Sequence, residues 1–250
     1  LLSTLKTVSI YTIYYSIANA LKSILMSFGY GYQSILGQKV AQHDTKKMNY
    51  YFEQYEFVTY NISGVAFSCC ICLIVPFVMI YTDGVTDTNY RQILFAILIC
   101  LALYILCVRE PYIQATYTAG LFKETQKFAF AEAIINIVVS IVFVKTLGLV
   151  GVAIGTVVSA AYRYISTVFF LKSHVLNRPV SSTVRKQILY MIPFIALCVA
   201  GRSIMGSDLS IVQWIIRSLM MMAISISSHL LIDFIFFRKQ LAAFTKVRNP

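Results

Sequence analysis

Uninterrupted apolar runs such as Gln92 to Val108 and Phe128 to Val144 constrain this chain more than any other feature. A soluble helix keeps a polar face toward water. These runs have almost none, so nearly all of their surface must meet apolar matter. In hydrocarbon each backbone N–H and C=O has to be satisfied within a helix or within a closed barrel. Barrel strands alternate apolar and polar residues over roughly ten positions, and that alternation is missing. The predicted fold class is therefore all-α, a polytopic transmembrane helix bundle with very little soluble mass. Composition agrees: 58% of the 250 residues are hydrophobic and 12% charged, about half the charge of an ordinary soluble domain.

A helix needs about 20 mainly apolar residues to cross the core. Seven spans meet that need: Thr7–Tyr32, Phe57–Thr82, Gln92–Gly120, Phe128–Val144, Leu147–Leu171, Gln187–Ile204 and Ile211–Phe237. The first is the most polar. The third continues past Arg109-Glu110-Pro111, because Tyr112 to Leu121 still reads helical. Pro76, Pro111 and Pro193 fall inside spans, where neighbouring helices can re-satisfy the freed carbonyls. Kinks are expected there. By organisation, residues 1–172 hold five spans and residues 173–250 hold two more and a basic tail.

Basic residues set the expected orientation, since Lys and Arg gather in cytoplasmic loops. One set of connections carries thirteen: Lys39, Lys46, Lys47, Lys123, Lys127, Lys172, Arg178, Arg185, Lys186, Arg238, Lys239, Lys246 and Arg248. The other carries four, Lys6, Arg91, Lys145 and Arg202, beside Asp83, Asp87 and Asp208. The bias predicts a multi-pass protein of the cell (cytoplasmic) membrane with its N-terminus outside and its C-terminus inside. It also accounts for the net charge of +11. Nothing resembles a basic arm or a zinc-ligand spacing for nucleic acid.

The six cysteines lie in apolar spans, so disulfides are not expected, and Cys69-Cys70-Ile71-Cys72 reads as packing rather than a metal site. The chain begins at Leu1 without a signal-peptide pattern, which suggests a longer native N-terminus.

Ionisable side chains inside spans cost roughly 2.5–3.5 kcal/mol each on insertion scales, so each is a functional candidate. At a rise of ~1.5 Å per residue, Lys22 lies ~22 Å from Thr7, Arg109 ~26 Å below Gln92 and Arg163 ~24 Å below Leu147. Glu110 follows Arg109, and Glu132 sits about one turn inside its helix. Five charges from four helices thus reach the midplane or inner leaflet. If they share a cavity, it opens inward with three positive and two negative charges. Consecutive Arg109 and Glu110 point ~100° apart and cannot simply pair.

Two helical rows add to this. Glu132, Asn136 and Ser140 form an i, i+4, i+8 polar stripe. Gly151 and Gly155 make a small-xxx-small motif, and Ser159 and Arg163 continue its row. Close packing is expected to give way to a polar face deeper in. Arg217 reads as a snorkelling residue, and His229 with Asp233 as a local i, i+4 pair.

The segment from Gly120-Leu-Phe-Lys-Glu-Thr through Glu132, Asn136 and Ser140 to Gly148-Leu-Val-Gly-Val-Ala-Ile-Gly155-Thr156 and Arg163 carries a resemblance. With Arg109-Glu-Pro111 and Gly37-Gln-Lys-Val-Ala-Gln-His-Asp44, it resembles the C-terminal half of Wzx-type lipid-linked oligosaccharide flippases. These belong to the multidrug/oligosaccharidyl-lipid/polysaccharide superfamily. The resemblance runs over roughly residues 5 to 240 through loose glycine and apolar patterns. It implies one lobe of a two-lobe exporter, with the N-terminal lobe absent from this chain and no enzyme activity, cofactor or metal. The implied substrate is a polyprenyl-pyrophosphate oligosaccharide moved across the cytoplasmic membrane by alternating access, for surface polysaccharide biosynthesis. Lys22, Arg109, Arg163 and Asn136 would then bind substrate, with Glu110 and Glu132 as ion-coupling candidates.

Other classes are weighed beside it. A drug/cation antiporter of the same superfamily prefers an acidic cavity, against which the basic excess stands. A seven-helix receptor shares the topology but lacks here a loop cysteine for an extracellular disulfide. A membrane-embedded glycosyltransferase needs a catalytic group in a sizeable loop, whereas Asp83 to Tyr90 is short.

Overall fold

The computed structural model describes residues 5–176, 179–205, 210–238 and 240–242, without the side chains of 200 and 202–205. Eight helices follow one another: α1 (Leu5–Ser27), α2 (Gly29–Ala41), α3 (Thr45–Tyr81), α4 (Ile93–Thr118), α5 (Phe122–Leu147), α6 (Leu149–His174), α7 (Val180–Met205) and α8 (Ile211–Phe236). The described residues contain no strand. This is the all-α bundle that the continuous apolar runs require. Arg178, Asp208, Lys239, Lys246 and Arg248 of the charge count lie outside the described residues, as does the side chain of Arg202.

Six helices, α3 to α8, are long and apolar enough to cross a membrane, so the chain is a multi-pass membrane protein. The first expected span is not among them. It divides at Phe28 into α1 and the short α2, and α1 is diluted by Tyr, Ser, Asn19 and Lys22.

Hydropathy misplaces several helix ends for one reason: amphipathic turns continue a helix beyond its apolar stretch. Asp44 caps α3, its carboxylate accepting the Lys47 N–H at 3.0 Å. The helix therefore starts twelve residues before Phe57 and runs for 37 residues, ~55 Å against a hydrocarbon core of ~30 Å. In the same way α5 starts at Phe122 and α7 at Val180. Ser210 and Gln213 close a reciprocal capping box on α8. The helices run through Pro76, Pro111 and Pro193. Gly148, at φ 55°, makes the tight turn from α5 to α6 with a backbone that favours glycine.

α3 and α4 form the axis, and their buried face carries Tyr60, Phe67, Phe95, Ile99, Leu103 and Tyr104. A second cluster, toward the C-terminal end of α4, joins Leu36 of α2 to Phe52, Tyr112 and Leu171. α5 packs chiefly on α6. Thr125 is its one buried residue, while Phe130 and Ile134 are more than 60% exposed. In a membrane that face meets hydrocarbon.

Candidate functional site

The hairpin α5–α6 builds the site. Its two polar rows meet face to face in opposite directions, so each step of one turn along α5 is matched by one turn back along α6. Gly151 lies against the α5 backbone, where a Cβ would come within 2.5 Å of the Phe143 carbonyl. One turn on, a Cβ at Gly155 would collide with the Ser140 side chain. Next, Asn136 Nδ2 donates to Ser159 Oγ at 3.2 Å and lies 3.4 Å from Thr156 Oγ1. The row ends at Glu132 opposite Arg163. Close packing gives way to polarity with depth, as the small-residue motif implies.

Glu132 is a hub. Arg163 Nη1 donates to its Oε2 at 2.7 Å, and Arg109 Nη1, from α4, to its Oε1 at 2.7 Å. Side chains in the triad are 12–18% exposed, and two guanidinium groups against one carboxylate leave a charge of +1. Glu132 stands ten residues inside α5, ~15 Å, rather than one turn, because α5 begins six residues before Phe128. Arg109 and Arg163 lie a similar distance from the C-terminal ends of α4 and α6. Each arginine uses a single Nη1, and Arg109 Nε is sealed without an acceptor among the described residues. Among the described residues the other Nη of each arginine is neither bonded nor sealed and is left for another anion.

Glu110 and Lys22 do not join this cluster. Glu110 turns to the opposite side of α4, accepts from Gln114 Nε2 at 2.5 Å, and lines a cavity of about 20 Å³ with Gly29, Tyr55, Thr59, Ser63 and Cys107. That is room for about one water. Lys22 is half-buried on α1 with no ion partner among the described residues. The structure brings Arg109, Glu132 and Arg163 together and leaves Glu110 and Lys22 outside that triad. The reason is the ~100° step between consecutive helical residues.

A second charged centre escaped the sequence reading. Glu56 of α3 is fully buried. Lys186 Nζ, itself 6% exposed, donates to its Oε2 at 2.6 Å, and Tyr112 OH also donates to Glu56. Thr183 Oγ1 is 3.3 Å from the same phenol. A hydroxyl and amide chain continues through Tyr60, Tyr164, Gln187 and Tyr104. Hydropathy leaves Lys186 in a connection and Glu56 just before a span, because both helices extend past their apolar stretches. The i, i+4 recurrence of Val180, Val184 and Ile188 across Lys186 was the available signal.

His229 and Asp233 do not pair locally. Asp233 Oδ1 accepts from Tyr190 OH at 2.5 Å and from Asn61 Nδ2 at 3.3 Å. His229 Nδ1 instead lies 2.9 Å from the Ser225 carbonyl. Asn61 and Tyr190 come from α3 and α7, so tertiary packing overrides the local spacing. Compared with known proteins, the chain matches no family model and no curated sequence.

Proposed function

We propose that this chain is part of a multi-pass transporter that moves an anionic, lipid-linked substrate across the cytoplasmic membrane. In its most specific form, it is the C-terminal lobe of a Wzx-type flippase for polyprenyl-pyrophosphate oligosaccharide. The observation that carries the reading is the over-positive triad: two arginines from different helices share one carboxylate, and each uses a single Nη1 for it. A pyrophosphate offers both guanidinium groups charge-assisted, bidentate bonds. It would compete with Glu132 for them and release that carboxylate to take a proton or cation. Ligand arrival and ion binding would then be linked through one side chain. Asn136, one turn further along the stripe, supplies a polar neighbour. Glu110, in its small cavity, is the other ion-coupling candidate, and Lys22 contributes only at a distance.

Orientation belongs to the same proposal. Moving Lys186 from a connection into the bundle leaves twelve basic residues against four, which still favours the C-terminus inside.

The test is flipping of a lipid-linked oligosaccharide by the complete protein. Arg109→Ala and Arg163→Ala should each abolish flipping while membrane insertion persists, and Lys22→Ala should reduce it less. Flipping that survives the Arg109→Ala/Arg163→Ala double variant contradicts the reading.

A further inference from the structure

Asp233 sits one turn from the inner end of α8, 2% exposed, and lines a groove of about 870 Å³. Both of its hydrogen bonds fall on Oδ1. Oδ2 accepts none, and no Lys or Arg pairs with it among the described residues. Glu56 and Glu132 each meet basic partners; Asp233 does not. A carboxylate so enclosed, with no basic partner among the described residues, is costly and calls for a cation.

Beside it, His229 Nδ1 lies 2.9 Å from the Ser225 carbonyl and its Nε2 is sealed over Gly64, where a Cβ would collide with it. The ring closes the corner, and the Asp233 carboxylate supplies its negative charge. The rest of the groove is apolar, walled by α1, α3 and α8 through residues such as Ile17, Leu21, Ala66, Met222 and Ile226. Along α8 it runs from Ser218 to Asp233, a length of ~22 Å.

We propose that this groove binds a lipophilic amine, its ammonium on Asp233 and its apolar body extended between α1 and α8. Charge complementarity selects that occupant. A fatty acid or alkyl phosphate would bring a second negative charge to Asp233, and a zwitterionic phospholipid would bring its phosphate with its ammonium. The site uses none of Arg109, Glu132 and Arg163, so it stands or falls separately from the transport reading.

Photolabelling of the full chain in phosphatidylcholine nanodiscs tests it, with a diazirine-bearing dodecyl amine as probe and the matching alcohol and phosphate as controls. The amine should label groove peptides of α3 and α8 at least about tenfold more than either control. Asp233→Asn should bring amine labelling down to the level of the alcohol. Ala66→Trp, which fills the groove without touching the polar corner, should suppress amine labelling even if Asp233→Asn does not fold. Equal labelling by amine and alcohol overturns the proposal, as does indifference to both substitutions. So does competition by phosphatidylethanolamine as effective as that by the free amine. Labelling that appears only after deletion of residues 243–250 also overturns it, since Lys246 or Arg248 would then hold the carboxylate.

Discussion

Two carboxylates within this bundle meet basic partners in different ways. Glu56 is sealed on all sides, and among the described residues it pairs with a lysine from α7 and accepts from a phenol of α4. Glu132 is partly exposed, and it faces two arginines that it cannot both neutralise. A sealed, balanced pair has no route by which to exchange partners, so it serves as a fixed joint between α3 and α7. An open, over-charged cluster can trade its carboxylate for another anion at small cost. Exposure and charge balance, more than residue type, separate a joint from a binding site.

The largest expected effect breaks the joint. Lys186→Met strands the Glu56 carboxylate and should cost about 3–5 kcal/mol, read as a large drop in the thermal midpoint in detergent. Adding Glu56→Gln should restore much of it. A drop no greater than that from Glu132→Gln would erase the distinction between the two centres. Glu132→Gln itself should cost less, about 1–3 kcal/mol, because water reaches the arginines it leaves.

Next comes the seam that carries the open cluster. Gly155→Val places atoms where Ser140 and the Asn136 carbonyl already lie and should cost about 1–3 kcal/mol. Crosslinking yield between cysteines placed on α5 and α6 should fall with it. The smallest effect lies outside both centres, at the α3 cap. The Lys47 N–H bond holds the Asp44 carboxyl below its ordinary value, helped by the Lys47 charge. The contribution is therefore full above the unfolded value and disappears as pH falls through the folded one. Asp44→Ala should lower the thermal midpoint slightly at neutral pH and leave it unchanged in strong acid.

Parts of this arrangement were legible in the sequence. The rows 132/136/140 and 151/155/159/163 follow from helical period alone, and the structure sets them against each other. Depth was legible too, since rise per residue places Arg109 and Arg163 at one level. Azimuth was not: rise says nothing about which side of the bundle a helix presents, and Lys22 and Glu110 fell on the far side of α4. Helix ends were hidden because hydropathy responds to hydrocarbon and not to amphipathic continuation, which concealed Glu56 and Lys186. The partners of Asp233 were hidden for a third reason, since Asn61 and Tyr190 lie far away in sequence.

The central claim is that Arg109 and Arg163 are available to an anion while Lys186 is not. The most direct measurement is the affinity of the full chain for a short prenyl pyrophosphate, in wild type and in three variants. Affinity should fall at least about tenfold for Arg109→Ala/Arg163→Ala, rise for Glu132→Gln, and change little for Glu56→Gln/Lys186→Met. Equal affinity in all four proteins, or a loss confined to the Lys186 variant, would contradict it.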